Sequence, residues 1–325
     1  MTSLLARATA APEPGVDSWR QLFNRPQFSA LNLTGAQAYR TFDLRDGDRV
    51  VGGLAGVLDD GEFVSGFSAP FGGFDFTDRR PDAATVAAVV EHVNAALAAA
   101  GVRQATIRLP PPSFSPADAA VVASLANSNW QLTRCEFNQS ISLPGLADID
   151  AFEAKLRPPA RKALAGIERL GQRYVEAQTA AQWRTGYDIL ARNRARRGRT
   201  LSLSYDYVLR ARAAFPAQIR MFLLHVADAP VAAALSYDVR PDCRLLVSWG
   251  EDCDLTRTPM VTLAREVVRL AQHDGIRLVD LGTSNAPEPD QHGNLAINFG
   301  LAQFKRTVLA DSEPRFTFTR RFEQR

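Results

Sequence analysis

The sequence predicts an α/β (α+β) chain of two tandem units, each a mixed, mostly antiparallel sheet flanked by helices. Three observations predict it. The order hairpin, helix, strand is written twice along the chain, the pattern of a structural duplication. The length of 325 residues exceeds one ordinary core, and about 150 residues per domain gives two. A hydrophobic content of 46% against 22% charged residues is that of a globular protein with ample core material.

In the first half, residues 49–58 read as a strand, Asp59-Asp60-Gly61 as a hairpin turn and residues 62–68 as the returning strand. Residues 85–100 are an apolar helix ended by Gly101, and residues 102–109 are a strand stopped by Pro110-Pro111-Pro112. Leu143-Pro144-Gly145 ends a further strand and places the boundary near residue 150, giving domains 1–150 and 151–325.

Residues 149–172 then read as a helix carrying Arg157, Arg161, Lys162 and Arg169, broken or kinked by Pro158-Pro159. Residues 183–197 form another, and Leu201 to Tyr205 alternate as a partly buried loop. Residues 218–227 and 231–239 are strands around Asp228-Ala229-Pro230, and Arg240-Pro241-Asp242 turns the chain into a strand over 243–250. Residues 258–273 are an amphipathic helix closed by Gly275, with Pro259 at a first helical position, and 276–282 are the next strand. Arg315-Phe316-Thr317-Phe318-Thr319-Arg320 alternates as a last strand should.

A net charge of +3 and a pI near 8.9 do not by themselves demand nucleic acid or an anionic membrane. Cys135, Cys243 and Cys253, an odd number at wide spacing, fit neither a disulfide framework nor a zinc site and read as reduced thiols of a cytoplasmic protein. Residues 1–16 lack the apolar run of a signal peptide, and no stretch approaches the roughly 18 apolar residues of a spanning helix. No two histidines or cysteines have ligand spacing, so no metal is expected.

Three segments stand out. They are Ser65-Gly66-Phe67-Ser68-Ala69-Pro70-Phe71-Gly72-Gly73-Phe74, Val279-Asp280-Leu281-Gly282-Thr283-Ser284, and Asn298-Phe299-Gly300-Leu301-Ala302-Gln303-Phe304-Lys305. Only three of the 38 basic residues are lysine, and Lys305 is one of them. A compact ammonium differs chemically from a guanidinium fork. In order and separation the segments resemble the GNAT acyltransferase fold in its duplicated form, the Fem (FemAB/FemX-like) aminoacyltransferases and related bacterial N-acetyltransferases, over roughly residues 45–320.

The resemblance implies a fold in which two parallel strands splay to admit an acyl donor, beside a helix N-terminus facing its phosphates. It places Lys305 and Phe304 at the family's phenylalanine–lysine pair, where the lysine stabilises developing charge or holds a donor phosphate. It puts the first half, with its Ser-Ala-Pro-Phe-Gly-Gly segment, on the acceptor side. Trp249, Arg257 and Thr258 are the expected donor contacts. The loop from Gly250 to Pro259 has no further glycine, and Glu251, Asp252 and Asp254 precede Arg257, a departure from a glycine-rich pyrophosphate turn.

Other candidates rest on the residues. Asp280, at a strand end, is either a base for the attacking amine or a loop-ordering group. Ser284, Asn285, His292 and Asn298 follow it as substrate contacts, together with Tyr205. The run Arg192 to Arg199, including Arg194 and Arg197, is either a solvated helix end or a phosphate-facing rim. The function expected is N-acyl transfer to an amine of a small-molecule, amino-sugar or peptidoglycan-type acceptor. The donor is acetyl-coenzyme A or another acyl-coenzyme A, favoured over aminoacyl-tRNA, which would want a broader basic surface. A non-catalytic ligand-binding module and an RNA-binding protein are the rival readings.

Overall fold

The computed structural model describes residues 19–255, 258–286 and 295–323. These divide into two compact units, the first holding residues 19–137, Leu295 and 313–323, the second 138–286 and 296–312. The division falls at residue 137, not near 150, and the C-terminal strand groups with the first unit. The Leu143-Pro144-Gly145 turn does end a strand, but the change of unit occurs inside that strand, where composition carries no signal.

In chain order the first unit contributes α1 (Pro26–Ala30), β1 (Ala38–Asp46), β2 (Arg49–Asp59), β3 (Glu62–Ser65), β4 (Phe74–Phe76), α2 (Ala83–Ala99), β5 (Gln104–Arg108), α3 (Asp118–Ala126) and the start of β6 (Gln131–Ser142). The chain continues through α4 (Ile149–Lys155), α5 (Pro158–Glu168), β7 (Gln172–Glu176), α6 (Ala180–Ala195) and α7 (Tyr205–Ala214). It then forms β8 (Ile219–Val226), β9 (Ala229–Arg240), β10 (Cys243–Glu251), α8 (Met260–His273), β11 (Leu278–Thr283), α9 (Phe299–Thr307) and β12 (Asp311–Arg321).

In the first unit the sheet runs β1-β2-β3-β5-β12, with β4 on β2. All these pairs are antiparallel except β3 with β5. The Asp82 carboxylate starts α2 by accepting from the Thr85 N–H at 2.7 Å. Val86, Val89, Val90, Val93 and Leu97 recur at helical spacing and are buried against Ala105, Ile107 and Phe318 of the sheet. Full burial of each such side chain contributes about 1.5–3 kcal/mol.

In the second unit β7, β8, β9 and β10 form an antiparallel meander, β11 lies parallel to β10, and residues 138–142 of β6 pair antiparallel with β11. One face carries α4, α5 and α8 over Phe222, Leu224, Ala232, Ala234 and Leu246. The other carries α6, whose Gly186 lies so close that a Cβ there would come within 2.7 Å of the Met221 sulfur.

Of the two outcomes expected at Pro158-Pro159, a break or a kink, the chain shows the break: α4 ends at Lys155 and Pro158 occupies the first turn of a separate helix, α5. One local expectation is corrected. Residues from 205 onward are helical, because the Ser204 hydroxyl accepts from the Tyr207 N–H at 3.1 Å and caps α7. Among the described residues no helix is long and apolar enough to cross a membrane.

Candidate active site

The site begins with a strand pair that stops pairing. β10 and β11 are in parallel register only from Cys243 to Leu245 against Leu278 to Asp280, yet β10 runs on to Glu251 and β11 to Thr283. On its other edge β10 carries a register shift between Leu246 and Ser248, a bulge that bends the strand at Val247. Between the diverging ends lies a cavity of about 700 Å³, lined by Leu246, Val247, Trp249, Gly250 and Glu251 of β10 and Leu281, Gly282 and Thr283 of β11.

Helix α6 brings cations to this cavity. Thr179 and Gln182 form a capping box at its start. At its other end Asn193 packs on Gly250, where a Cβ would come within 2.6 Å of the Asn193 amide, and Asn193 Nδ2 donates to the Glu251 carbonyl at 2.7 Å. That contact sets the register that carries Arg194, Arg197 and Arg199 to the cavity wall. Arg194 also donates to Ser248 Oγ at 3.3 Å. Burial, and after it the charges of Arg197 and Arg199, lower the pKa of the Arg194 guanidinium. Clustered cations, one of them half-buried, favour an anionic guest.

Two of the three acidic residues before α8 are engaged by local partners. Arg192 and Arg196 pair with the Asp252 carboxylate, and Glu251 accepts from Thr258 Oγ1 at 2.7 Å. Thr258 in turn accepts from the Met260 N–H at 3.2 Å at the start of α8. Pro259 stands at the N-cap, one position before the first helical residue.

Helix α9 supplies the remaining wall. Asn298 caps it, with Oδ1 accepting from the Leu301 N–H at 3.0 Å. Lys305 is 1% exposed, and its Nζ donates to the carbonyl oxygens of Gly282 at 2.7 Å and Thr283 at 2.9 Å. Gly282 has φ +76°, a left-handed bend that turns its carbonyl and would strain any other residue. Next to Lys305 along α9, Phe304 packs against Trp249 with ring centroids 5.6 Å apart. The cavity thus has a cationic rim, an apolar interior built from Leu246, Trp249, Met260, Leu281 and Phe304, and a single lining carboxylate among the described residues, Glu251.

No curated protein matches the sequence at a significant level. Residues 154–292 match the model of the acetyltransferase (GNAT) domain. This segment is similar to a GNAT domain. A structure of FemX is similar at 9% identity and a TM-score of 0.67, covering 93% of this chain and 92% of that one. The structure of L-PGS from Bacillus licheniformis is similar at 13% identity and a TM-score of 0.55, covering 88% of this chain and 85% of that one. At these identities the likeness is one of fold. The GNAT-like segment supports a transferase, and within it the splayed β10 and β11 frame the cavity.

Of the residues expected in the site, Arg194, Arg197, Trp249, Thr258, Asn298, Phe304 and Lys305 line the cavity of the GNAT-like unit. Asp280 does not. It is 0% exposed, and its Oδ1 accepts from Asn138 Nδ2 at 2.9 Å and from the Gly282 N–H at 2.8 Å. It orders the β11 bend, and of its two readings the loop-ordering one fits this position. Ser284 is also enclosed, donating to Gln139 Oε1 at 2.7 Å, and Asn285 bridges to Ile297. Tyr205 packs on α6 against Tyr187 and beneath Arg184, away from the cavity wall. Arg257 and His292 lie outside the described residues. Arg199 and Glu251 were not singled out as contacts, although the arginine run and the acidic loop that contain them were visible.

Proposed function

We propose that the second unit transfers an acyl group from a phosphate-bearing activated donor to an amine, with an acyl-coenzyme A as the donor. The observation that carries this reading is the cavity itself: an opening between parallel strands with three arginines on its wall and apolar side chains within. The donor's phosphates bind Arg194, Arg197 and Arg199, and its acyl chain lies along Trp249 and Phe304. The carbonyl oxygen then accepts from backbone N–H groups of β10 beyond Leu245, where pairing with β11 has ceased.

The acceptor amine attacks the carbonyl carbon as Glu251 takes its proton, and the tetrahedral intermediate expels the thiolate. Lys305 acts by its charge, steadying the oxyanion while it fixes the Gly282 and Thr283 carbonyls. No covalent enzyme intermediate is required. An amino-sugar or peptidoglycan-type amine is the acceptor class carried from the sequence reading.

A second donor, an aminoacyl ester at the 3′ end of an RNA, is favoured by one feature: arginines, and not the backbone N–H groups of a glycine-rich turn, are available as the phosphate contacts. Transfer assays with acetyl-coenzyme A and with aminoacyl-tRNA, run on the same amines, separate the two.

A further inference from the structure

The first unit holds a second cationic cavity that the transfer reaction does not use. It measures about 370 Å³ and is lined by Thr106 and Arg108 of β5, Arg134 and Glu136 of β6, and Arg315 and Thr317 of β12. The strand register explains the composition. Arg108 pairs with Thr317 and Thr106 with Thr319, and paired residues share a face. The alternate residues Ala105, Ile107 and Phe318 are buried in the apolar core on the opposite face.

One arginine there is already matched. Arg315 donates to Glu136 Oε2 through Nε at 3.2 Å and a terminal nitrogen at 2.7 Å. That leaves two positive charges against no further lining carboxylate among the described residues. Arg108 donates once, to the Gly66 carbonyl at 3.0 Å, and the guanidinium of Arg134 makes no hydrogen bond or ion pair among the described residues. Burial, followed by the nearby charge of Arg134, lowers the pKa of Arg108. Two like charges kept together on one wall are stabilised by an anion that bridges them. Hydroxyls of Thr106 and Thr317 add donors on the same wall, more than one planar carboxylate would use.

We propose that this cavity is a second ligand site, which binds a phosphate group through Arg108 and Arg134. It stands independently of the acyl-transfer reading, because each of its lining residues belongs to the first unit.

Calorimetric titration of the full-length protein with pyrophosphate tests it, using Arg134→Gln, Arg108→Gln and Arg197→Gln. The expected result is a site whose affinity falls at least about tenfold in Arg134→Gln and in Arg108→Gln but is unchanged in Arg197→Gln. Arg134 is exposed, so its substitution leaves the fold intact and keeps the test valid should Arg108→Gln unfold. Failure of the donor site would remove only the Arg197-dependent binding. Isotherms identical to the parent in both Arg134→Gln and Arg108→Gln would overturn the proposal, and acetate binding as tightly as pyrophosphate would overturn the assignment to phosphate.

Discussion

Lys305 Nζ lies 2.7 Å from the carbonyl oxygen of Gly282, joining the last turns of α9 to the bend at the end of β11. The ammonium is therefore part of the architecture of the cavity as well as of its charge. Lys305→Met removes the donor for two backbone carbonyls, and should lower unfolding free energy by about 1.5–3 kcal/mol, since hydrogen bonds to charged groups are worth about that much. Urea denaturation measures it. Lys305→Arg keeps the charge but forces a larger group into a buried slot, so stability should fall there too.

Asp280→Asn separates positioning from proton transfer. Asparagine keeps an oxygen to accept from the Gly282 N–H, so turnover should stay within about tenfold of the parent. Loss of a general base would instead cost about 10²- to 10⁴-fold. The corresponding change at the cavity carboxylate, Glu251→Gln, should produce that larger loss in kcat.

Much of this site was legible in the sequence, and what was missed has physical causes. Phe304 and Lys305 stood out by motif, and the β8 to β11 order by alternation and turn residues. Asp280 looked available because it alternates with Val279 and Leu281, but an alternating strand polar residue can equally point at a neighbouring strand, here Asn138 of β6. Tyr205 begins a helix because Ser204 caps it, a one-residue signal inside a segment whose alternation suggested a loop. The placement of Arg199 and Glu251 depends on Asn193 meeting Gly250, a contact between residues 57 positions apart, which local pattern does not encode.

Arg197→Gln and Arg194→Gln should raise the KM for the donor with a smaller effect on kcat, as expected where a contact serves the ground and transition states alike. Raising the salt concentration should weaken donor binding less in these variants than in the parent, because a screened charge has been removed. Steady-state kinetics at two ionic strengths checks both.

Stability should depend on pH through Asp274. Burial alone would raise its pKa, but hydrogen bonds from Arg220, His273 and Arg244 outweigh that and hold it at about 2. Its folded pKa lies below the ordinary value of about 3.9, so its contribution is present above pH 4 and is lost as pH falls toward 2. Asp274→Asn should lower stability at pH 7 and flatten the acid limb of a plot of Tm against pH.

The three thiols should differ in reactivity. Cys135 is exposed, Cys253 is half-buried, and Cys243 is buried, its pKa pushed up to about 12, first by burial and then by Asp242. A thiol reagent at pH 8 should modify Cys135 quickly and Cys243 only after denaturant is added, as mass spectrometry of the labelled peptides would record.

The central claim is that the cavity between β10 and β11 carries an activated acyl group to an amine. Its most direct test is transfer of radiolabelled acetyl from acetyl-coenzyme A, and of an amino acid from aminoacyl-tRNA, to a panel of amino sugars, amino acids and peptidoglycan precursors. The account predicts labelled amide from the thioester, lost in Glu251→Gln and reduced in Arg197→Gln with both variants folded. Absence of transfer from both donors by the intact protein would contradict it and leave a GNAT fold that only binds.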